Sequence, residues 1–359
     1  LASTENHEIQ HGVKPVKIAV VGASGYTGIE LLRLLLRHPA VEIRALTSRQ
    51  EAGRALEEVV PRFRNTAGGG LRFIEPDPDA IAAAGVQAAF LALPHGVAAE
   101  IATALLDRGI RVIDLSADFR LRDPTLYAEF YGSPHPAPKL LGDAVYGLPE
   151  IRAEDIRAAR LVAAPGCYPT SILLPLVPLL RDGLIEASSV IANSMSGVSG
   201  AGRKAELPLL FCECNESARA YGLPKHRHLS EIEQELSRAA GCDVRITFIP
   251  HLIPVTCGIA STITATLRGG RTAADVAASL EQAYHKSPFV RLLGEGACAD
   301  TKNVTRTNFI DIGWHHDART GRIILTSAED NLGKGAGGQA VQCLNLMFGF
   351  PPTEGLQNF

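Results

Sequence analysis

Cys167 lies in the run Ala164-Pro165-Gly166-Cys167-Tyr168-Pro169-Thr170, where glycine permits an unusual turn and Pro169 suits the first turn of a helix. A thiol at or just before a helix N-terminus has its pKa lowered, because the helix end stabilises the thiolate, and the thiolate is the nucleophile. The competing reading is a buried structural cysteine, and the other six cysteines lack even this setting. Thiolate chemistry also needs a proton donor and acceptor. His226-Arg227-His228 stands just before the amphipathic run Leu229 to Leu236. There Ser230 reads as a helix N-cap and Glu233 as its capping-box partner, so both histidines fall in a loop feeding a rigid helix. His226-x-His228, His315-His316 and Cys212-x-Cys214 lack further ligands at recognisable spacing, and no metal is expected.

A second run, Gly22-Ala23-Ser24-Gly25-Tyr26-Thr27-Gly28, follows the β-branched stretch Val16 to Val21 and opens the helical pattern Tyr26 to Arg37. Strand, glycine turn and helix in direct succession let backbone N–H groups and the helix end hold a pyrophosphate. The spacing is Gly-x-x-Gly-x-x-Gly, and a tight packing turn is the alternative. Gly22, Ser24, Gly25, Tyr26, Thr27 and Gly28 are therefore expected at a dinucleotide. The next strand, Val41 to Leu46, runs into Thr47-Ser48-Arg49 with no acid at its tip. A hydroxyl followed by a guanidinium favours NADP over NAD, so Ser48 and Arg49 join the expected cofactor site.

The elements that must carry these residues alternate between apolar runs and helical patterns, the mark of an α/β chain with a parallel sheet. Ala88 to Leu93 and Arg111 to Leu115 read as strands, with a helix over Val97 to Leu106; Phe119 to Pro149 reads as loop. Past a short strand near Leu161 come a helix over Thr170 to Leu180 and strands over 188–193, 244–249, 259–267, 309–313 and 323–327. Helices are expected over 230–240 and 273–285, and a buried last helix over Gly337 to Met347. Long strands with fewer crossover helices indicate an α+β unit with a mixed or antiparallel sheet.

Composition sets the frame. With 359 residues, 46% hydrophobic and 20% charged, the chain is long enough for about two domains with real cores. A net charge of -3 without a basic stripe argues against nucleic acid or a membrane surface as partner. Apolar stretches break well before the ~20 residues a membrane span needs. Seven cysteines without a CxxC pair suit a reducing compartment. The polar, patternless start, Leu1 to Pro15, has no apolar signal region; it reads as a cloning remnant, a flexible arm or what is left after removal of a targeting peptide.

Together these runs resemble the N-acetyl-γ-glutamyl-phosphate reductase family. The resemblance rests on Gly22 to Gly28, Leu93-Pro94-His95-Gly96, Asp114 to Arg120, Tyr146-Gly147-Leu148-Pro149-Glu150 and Pro165 to Thr170. Ser196-Gly197-Val198-Ser199-Gly200-Ala201-Gly202-Arg203, His226-Arg227-His228 and Asp330-Asn331-Leu332-Gly333-Lys334-Gly335 follow in consistent order. It implies a Rossmann-type NADP domain over 16–165, a glyceraldehyde-phosphate-dehydrogenase-like α+β catalytic and oligomerisation domain over 166–330, and a C-terminal segment, 331–359, returning to the first domain. It further implies NADPH-dependent reduction of N-acetyl-glutamyl 5-phosphate to the semialdehyde and phosphate through a cysteine thioester, in arginine biosynthesis.

By the resemblance, Cys167 is the nucleophile and His228 the acid/base, with His226 as runner-up. Arg120 and Arg203 contact the anionic substrate, while Pro94, Ser196, Gly197, Asn331 and Gly333 lie by the cofactor. The partners it implies are a small acyl phosphate and further copies of the chain, as homodimer or homotetramer. The location is cytoplasmic, or that of an organelle-imported mature enzyme. The chain departs at Cys257, where the family usually carries arginine; another cation must then serve, or affinity or specificity has changed. A cysteine hydrolase would share Cys167 and a histidine but not the glycine loop. A non-catalytic NADP sensor would share the loop but leave Cys167 unreactive. Carrier-bound aminoadipyl or glutamyl phosphates, and aspartyl phosphate, are the alternative substrates.

Overall fold

The computed structural model describes residues 14–357, and most of the polar start read above lies outside them. The β-branched and alanine-rich runs pair into a first sheet because, covered on both faces, they have no polar side to offer water. Its strands are β1 (Val16–Val21), β2 (Val41–Thr47), β3 (Phe73–Ile74), β4 (Ala88–Leu91), β5 (Arg111–Asp114), β6 (Val145–Tyr146) and β7 (Leu161–Ala163). All pairings are parallel, in the order β3-β2-β1-β4-β5-β7-β6. The order reverses between β1 and β4, which places the crevice for a ligand at the carboxyl end of β1. Helices α1 (Tyr26–Leu35), α2 (Leu56–Val59), α3 (Pro78–Ala83), α4 (Ala98–Asp107), α5 (Pro124–Tyr131) and α6 (Pro149–Ala158) connect these strands.

From Cys167 the chain builds α7 (Cys167–Arg181), β8 (Ile191–Gly197), α8 (Phe211–Cys214), β9 (Arg219–Ala220), α9 (His228–Ala240), β10 (Thr247–Ile253) and β11 (Ile259–Thr266). It continues with α10 (Ala273–Tyr284), β12 (Val290–Glu295), β13 (Ile310–Asp317), β14 (Arg322–Glu329) and α11 (Gly338–Phe348). The second sheet runs β12-β13-β14-β11-β8-β10-β9. It is mixed: β8–β10 and β12–β13 pair parallel, the other neighbours antiparallel. Alternation along β11 turns Ile259, Ser261, Ile263 and Ala265 inward, under α7, with Thr262 exposed on the other face. The last helix leaves this unit: Ala340, Val341, Leu344 and Met347 enter one core with Leu31, Leu35 and Ile113 of the first sheet.

Several boundaries differ from the sequence reading, each for a physical reason. Helix α7 begins at Cys167 instead of Thr170, because Pro169 occupies an early helical position that needs no N–H. The expected capping box at Ser230 is not formed. Helix α9 starts two residues earlier, Ser230 Oγ donates to Arg227 O, and Glu233 instead accepts from Ile246 N–H and pairs with Arg245. The stretch read as loop, 119–149, holds α5, with Asp123 accepting from Thr125 N–H at its start, and the short β6. Strands β8 and β10 lie about three residues later than expected, at 191–197 and 247–253. A π-helical turn, Gly333–Gly337, precedes α11.

Candidate functional site

The glycine run crosses from β1 to α1 under tight constraint. Gly22 has φ +83°, and a Cβ there would lie 2.4 Å from Ala92 O; one on Gly28 would lie 2.6 Å from Ala23 Cα and Gly22 O. Gly22 and Ala23 donate their N–H groups to Thr47 O, so the loop is sewn to the end of β2. No side chain caps α1, which leaves its first turn, from Tyr26 and Thr27, facing the crevice as an anion cradle. Ser24 Oγ and Ser48 Oγ are hydrogen-bonded at 3.0 Å, with Arg49 exposed beside them. Pro94 is exposed past β4, and Gly96 N–H is held by Asp118 Oδ1 at 2.7 Å. These residues fit a bound dinucleotide.

Cys167 is the first residue of α7, with Gly166 as its uncapped N-cap. His228, the first residue of α9, reaches the same turn: its Nε2 would stand 2.7 Å from a Cβ on Gly166, and Arg120 Nη1 3.0 Å from it. Glu231, one turn into α9, braces the arrangement. Its Oε1 accepts Gly166 N–H at 2.8 Å and Tyr146 O–H at 2.7 Å, and its Oε2 faces Arg120 Nη1 at 3.4 Å. Arg120 spends its remaining donors on Ala164 O and Leu115 O. It is thus a buried strut under the Cys167 turn with one nitrogen toward it.

The two histidines differ in their surroundings. His226 Nδ1 accepts His228 N–H at 3.1 Å, and its ring sits edge-on among Tyr168, Tyr221 and Phe248. Burial and the Arg227 charge push it down to about 4. His228 is buried, its Nδ1 has no partner, and burial with His226, Arg120 and Arg227 holds its pKa well below the usual imidazole range. It is a neutral ring. Burial, followed by the Glu329 carboxylate, pushes the Cys167 thiol up to about 12. That reverses the lowering expected from the helix end: the partial charge of one helix terminus is smaller than the cost of desolvating a full anion.

Arg203 is exposed, and its Nη1 donates to Ser24 O at 3.1 Å, which ties the loop after β8 to the glycine run. Asn331 accepts Gly258 N–H at 2.8 Å and donates to Ser199 Oγ at 2.9 Å, and Cys257 Sγ lies 3.4 Å from that same hydroxyl. Ser196 is buried on β8, Gly197 is packed against Thr256 backbone, and Gly333 against Thr307 O. A cavity of about 1020 Å³ opens between α1 and these loops, lined by Tyr26, Ser199, Cys257, Arg306 and Leu332. The sequence reading gives no role to Glu231 or Tyr146, although Glu231 follows His228 at the i, i+3 spacing that puts both on one helix face.

Comparison with known proteins finds relatives along almost the whole chain. Residues 17–159 match the semialdehyde dehydrogenase NAD binding domain and residues 167–331 the semialdehyde dehydrogenase dimerisation domain. The chain is 65% identical to an N-acetyl-gamma-glutamyl-phosphate reductase of Akkermansia muciniphila, covering 96% of this chain and 99% of that one. It is 51% identical to the protein of the same name from Geobacter metallireducens, over 95% and 98%. Among solved structures, aspartate semialdehyde dehydrogenase II of Vibrio cholerae, complexed with ASA, superposes with a TM-score of 0.71 at 19% identity, over 93% of this chain and 98% of that one. The Candida albicans aspartate semialdehyde dehydrogenase with NADP does so with a TM-score of 0.71 at 15% identity, over 93% and 99%. These two share the fold. Near-complete coverage at 65% identity goes further: the chain belongs to the N-acetyl-gamma-glutamyl-phosphate reductase family.

Proposed function

We propose that this protein reduces N-acetyl-glutamyl 5-phosphate to N-acetyl-glutamate 5-semialdehyde and phosphate, with NADPH, in arginine biosynthesis. The observation that carries the reading is the meeting of Cys167, at the first turn of α7, with His228 Nε2 over Gly166. The names of the relatives support the substrate. Cys167, once ionised, attacks the γ-carbonyl carbon, phosphate departs, and the acyl group is held as a thioester. Bound NADPH supplies the hydride for the reduction. His228 Nε2–H is placed to hydrogen-bond the substrate oxyanion, whose collapse releases the aldehyde and returns the thiolate. His226 serves as its support, since Nδ1 and the ring are already committed.

Backbone N–H groups of the Gly22 to Gly28 loop hold the cofactor phosphates, and Ser48 with Arg49 receives the 2′-phosphate. Pro94, Ser196, Gly197, Asn331 and Gly333 complete the cofactor side. Arg120 and Arg203 are the contacts for the anionic substrate, Arg120 from under the Cys167 turn and Arg203 from the loop tied to the glycine run. The same reading gives 16–165 to cofactor binding, 166–330 to catalysis and assembly, and 331–359 to the returning segment. A homodimer or homotetramer is supported by the dimerisation domain match and by the outer face of the second sheet, where Met195 is 45% exposed. For a cytoplasmic location the support is the set of seven cysteines without a CxxC pair, which suits a reducing compartment.

The test is Cys167→Ala assayed in the reverse direction, as phosphate-dependent NADP reduction with the semialdehyde. Activity should vanish while NADPH still binds; retained turnover refutes the assignment.

A further inference from the structure

Lys334 is the second residue of the π-helical turn Gly333–Gly337, and its side chain is fully buried. No step of the reaction uses it. Its Nζ donates to Glu150 Oε1 at 2.7 Å and to Gln342 Oε1 at 2.9 Å, and Gln342 Nε2 donates to that same Glu150 oxygen at 3.0 Å. Glu150 stands in the first turn of α6, with its side chain 1% exposed. An ion pair this deep is a poor source of stability, because desolvating two charges costs about what their attraction returns, and a well-packed apolar pair serves as well. Its use is to fix one register between the segments it joins.

The segment it fixes touches Cys167. A Cβ on Gly335 would lie 2.8 Å from Cys167 Cβ and 2.9 Å from Glu329 Oε1, so bare backbone is what fits there, and that backbone is a wall against the Cys167 side chain. The turn is of an uncommon kind. Gly335 N–H reaches back to Asp330 O at 2.9 Å and Gly337 N–H to Leu332 O at 2.8 Å, five residues in each case. Such turns are rare single interruptions of the α-helical ladder. Relaxation to the four-residue spacing of an α-helix would rotate the turn and carry Gly335 off Cys167. Gln339, in the first turn of α11, ties the same segment to α7: its Nε2 donates to Thr170 Oγ1 at 2.9 Å.

We propose that Lys334 is a positioning residue for Cys167: held by Glu150 and Gln342, it keeps the π-helical turn in the register that sets Gly335 against the Cys167 side chain. Three parts of the chain meet through it, namely α6, the returning segment and α7. A wall at that distance restricts the staggered rotamers open to Cys167. Loosening it therefore costs the geometry of attack and leaves cofactor binding alone.

The inference rests on Cys167 as nucleophile, and the experiment keeps the two apart. Lys334→Met and the double variant Lys334→Met/Glu150→Gln are compared with the native chain by thermal melting and by the kinetics of phosphate-dependent NADP reduction with the semialdehyde. The single variant should lose stability, since it leaves Glu150 buried without its cation, and the double variant should regain it. In the double variant kcat should nevertheless stay at least about tenfold down, with KM for NADP within about twofold of native. A native kcat there, or a KM that rises as far as kcat falls, overturns the proposal. Should neither variant fold, Gln342→Met, which removes one acceptor of Lys334 and leaves the ion pair standing, is read the same way: a lower kcat at constant KM supports the proposal, and an unchanged kcat overturns it. An error about the nucleophile shows differently, as native protein that keeps turning over after iodoacetamide has alkylated Cys167.

Discussion

The carboxylate of Glu231 accepts the backbone N–H of Gly166 at 2.8 Å, and through that one bond the helix that starts with His228 is fixed to the turn that presents Cys167. His228 and Cys167 come from elements 61 positions apart in the chain, and Glu231 links the two. Glu231→Ala leaves Gly166 N–H, Tyr146 O–H and Arg120 without their shared acceptor. Breaking a buried pair from one side costs about 3–5 kcal/mol. The melting temperature should fall, and kcat should fall by about tenfold or more with KM for NADPH little changed. Glu231→Gln, which still offers a carbonyl to Gly166, should lose less of both; equal losses would remove the bracing role.

Gly166→Ala tests the approach of His228 without touching a reactive group. The backbone there, φ −68° and ψ 156°, suits any residue, so the only penalty is contact with His228 Nε2 and Arg120 Nη1. Overpacking of this kind costs about 1–3 kcal/mol. The expected result is a kcat at least about tenfold lower with NADPH affinity intact; a normal kcat would mean that His228 can move away without loss.

Arg49 should set cofactor preference. Replacing it by glutamate places an acid beside Ser48, where it repels a 2′-phosphate and accepts from a ribose hydroxyl. The ratio of Kd values for NADH and NADPH, read from cofactor fluorescence, should move toward NADH by about tenfold or more, or about 1.4 kcal/mol. An unchanged ratio places the phosphate elsewhere.

Acid stability follows from His226. Its pKa lies at about 4 in the folded chain against 6.5 in the unfolded one. Between those values the unfolded chain binds a proton that the folded chain refuses. Stability is therefore full above pH 6.5 and is lost as pH falls toward 4, at up to about 1.4 kcal/mol per unit. In urea titrations across that window, His226→Gln should lose up to about 3 kcal/mol less than the native chain. Parallel curves would assign the acid sensitivity to other groups.

How far the sequence carried can be judged from individual residues. Val16 to Val21, the glycine turn and the leucines after it announced β1, the loop and α1 because periodicity and turn chemistry are local properties. The parallel first sheet and the mixed second sheet were legible for the same reason. Cys167 stood out by its turn, but the state of its thiol did not: burial and Glu329 act across space, and no local pattern records them. Ser230 and Glu233 formed a capping signature that tertiary contacts overrode when Glu233 found Arg245 and Ile246. Arg203 stood out as a cation, but its bond to Ser24 O did not, since charge alone does not say which loop a long side chain will tie down.

The return of α11 to the first sheet also bears on synthesis. Leu31 and Leu35 precede Val341 and Leu344, side chains of the helix that covers them, by about three hundred residues, and Ile113 precedes them by more than two hundred. Until those arrive, the older half of the molecule carries an open apolar face. A nascent chain halted before Gly338 should therefore be a client for chaperones, and the cofactor-binding half closes only once that helix is made.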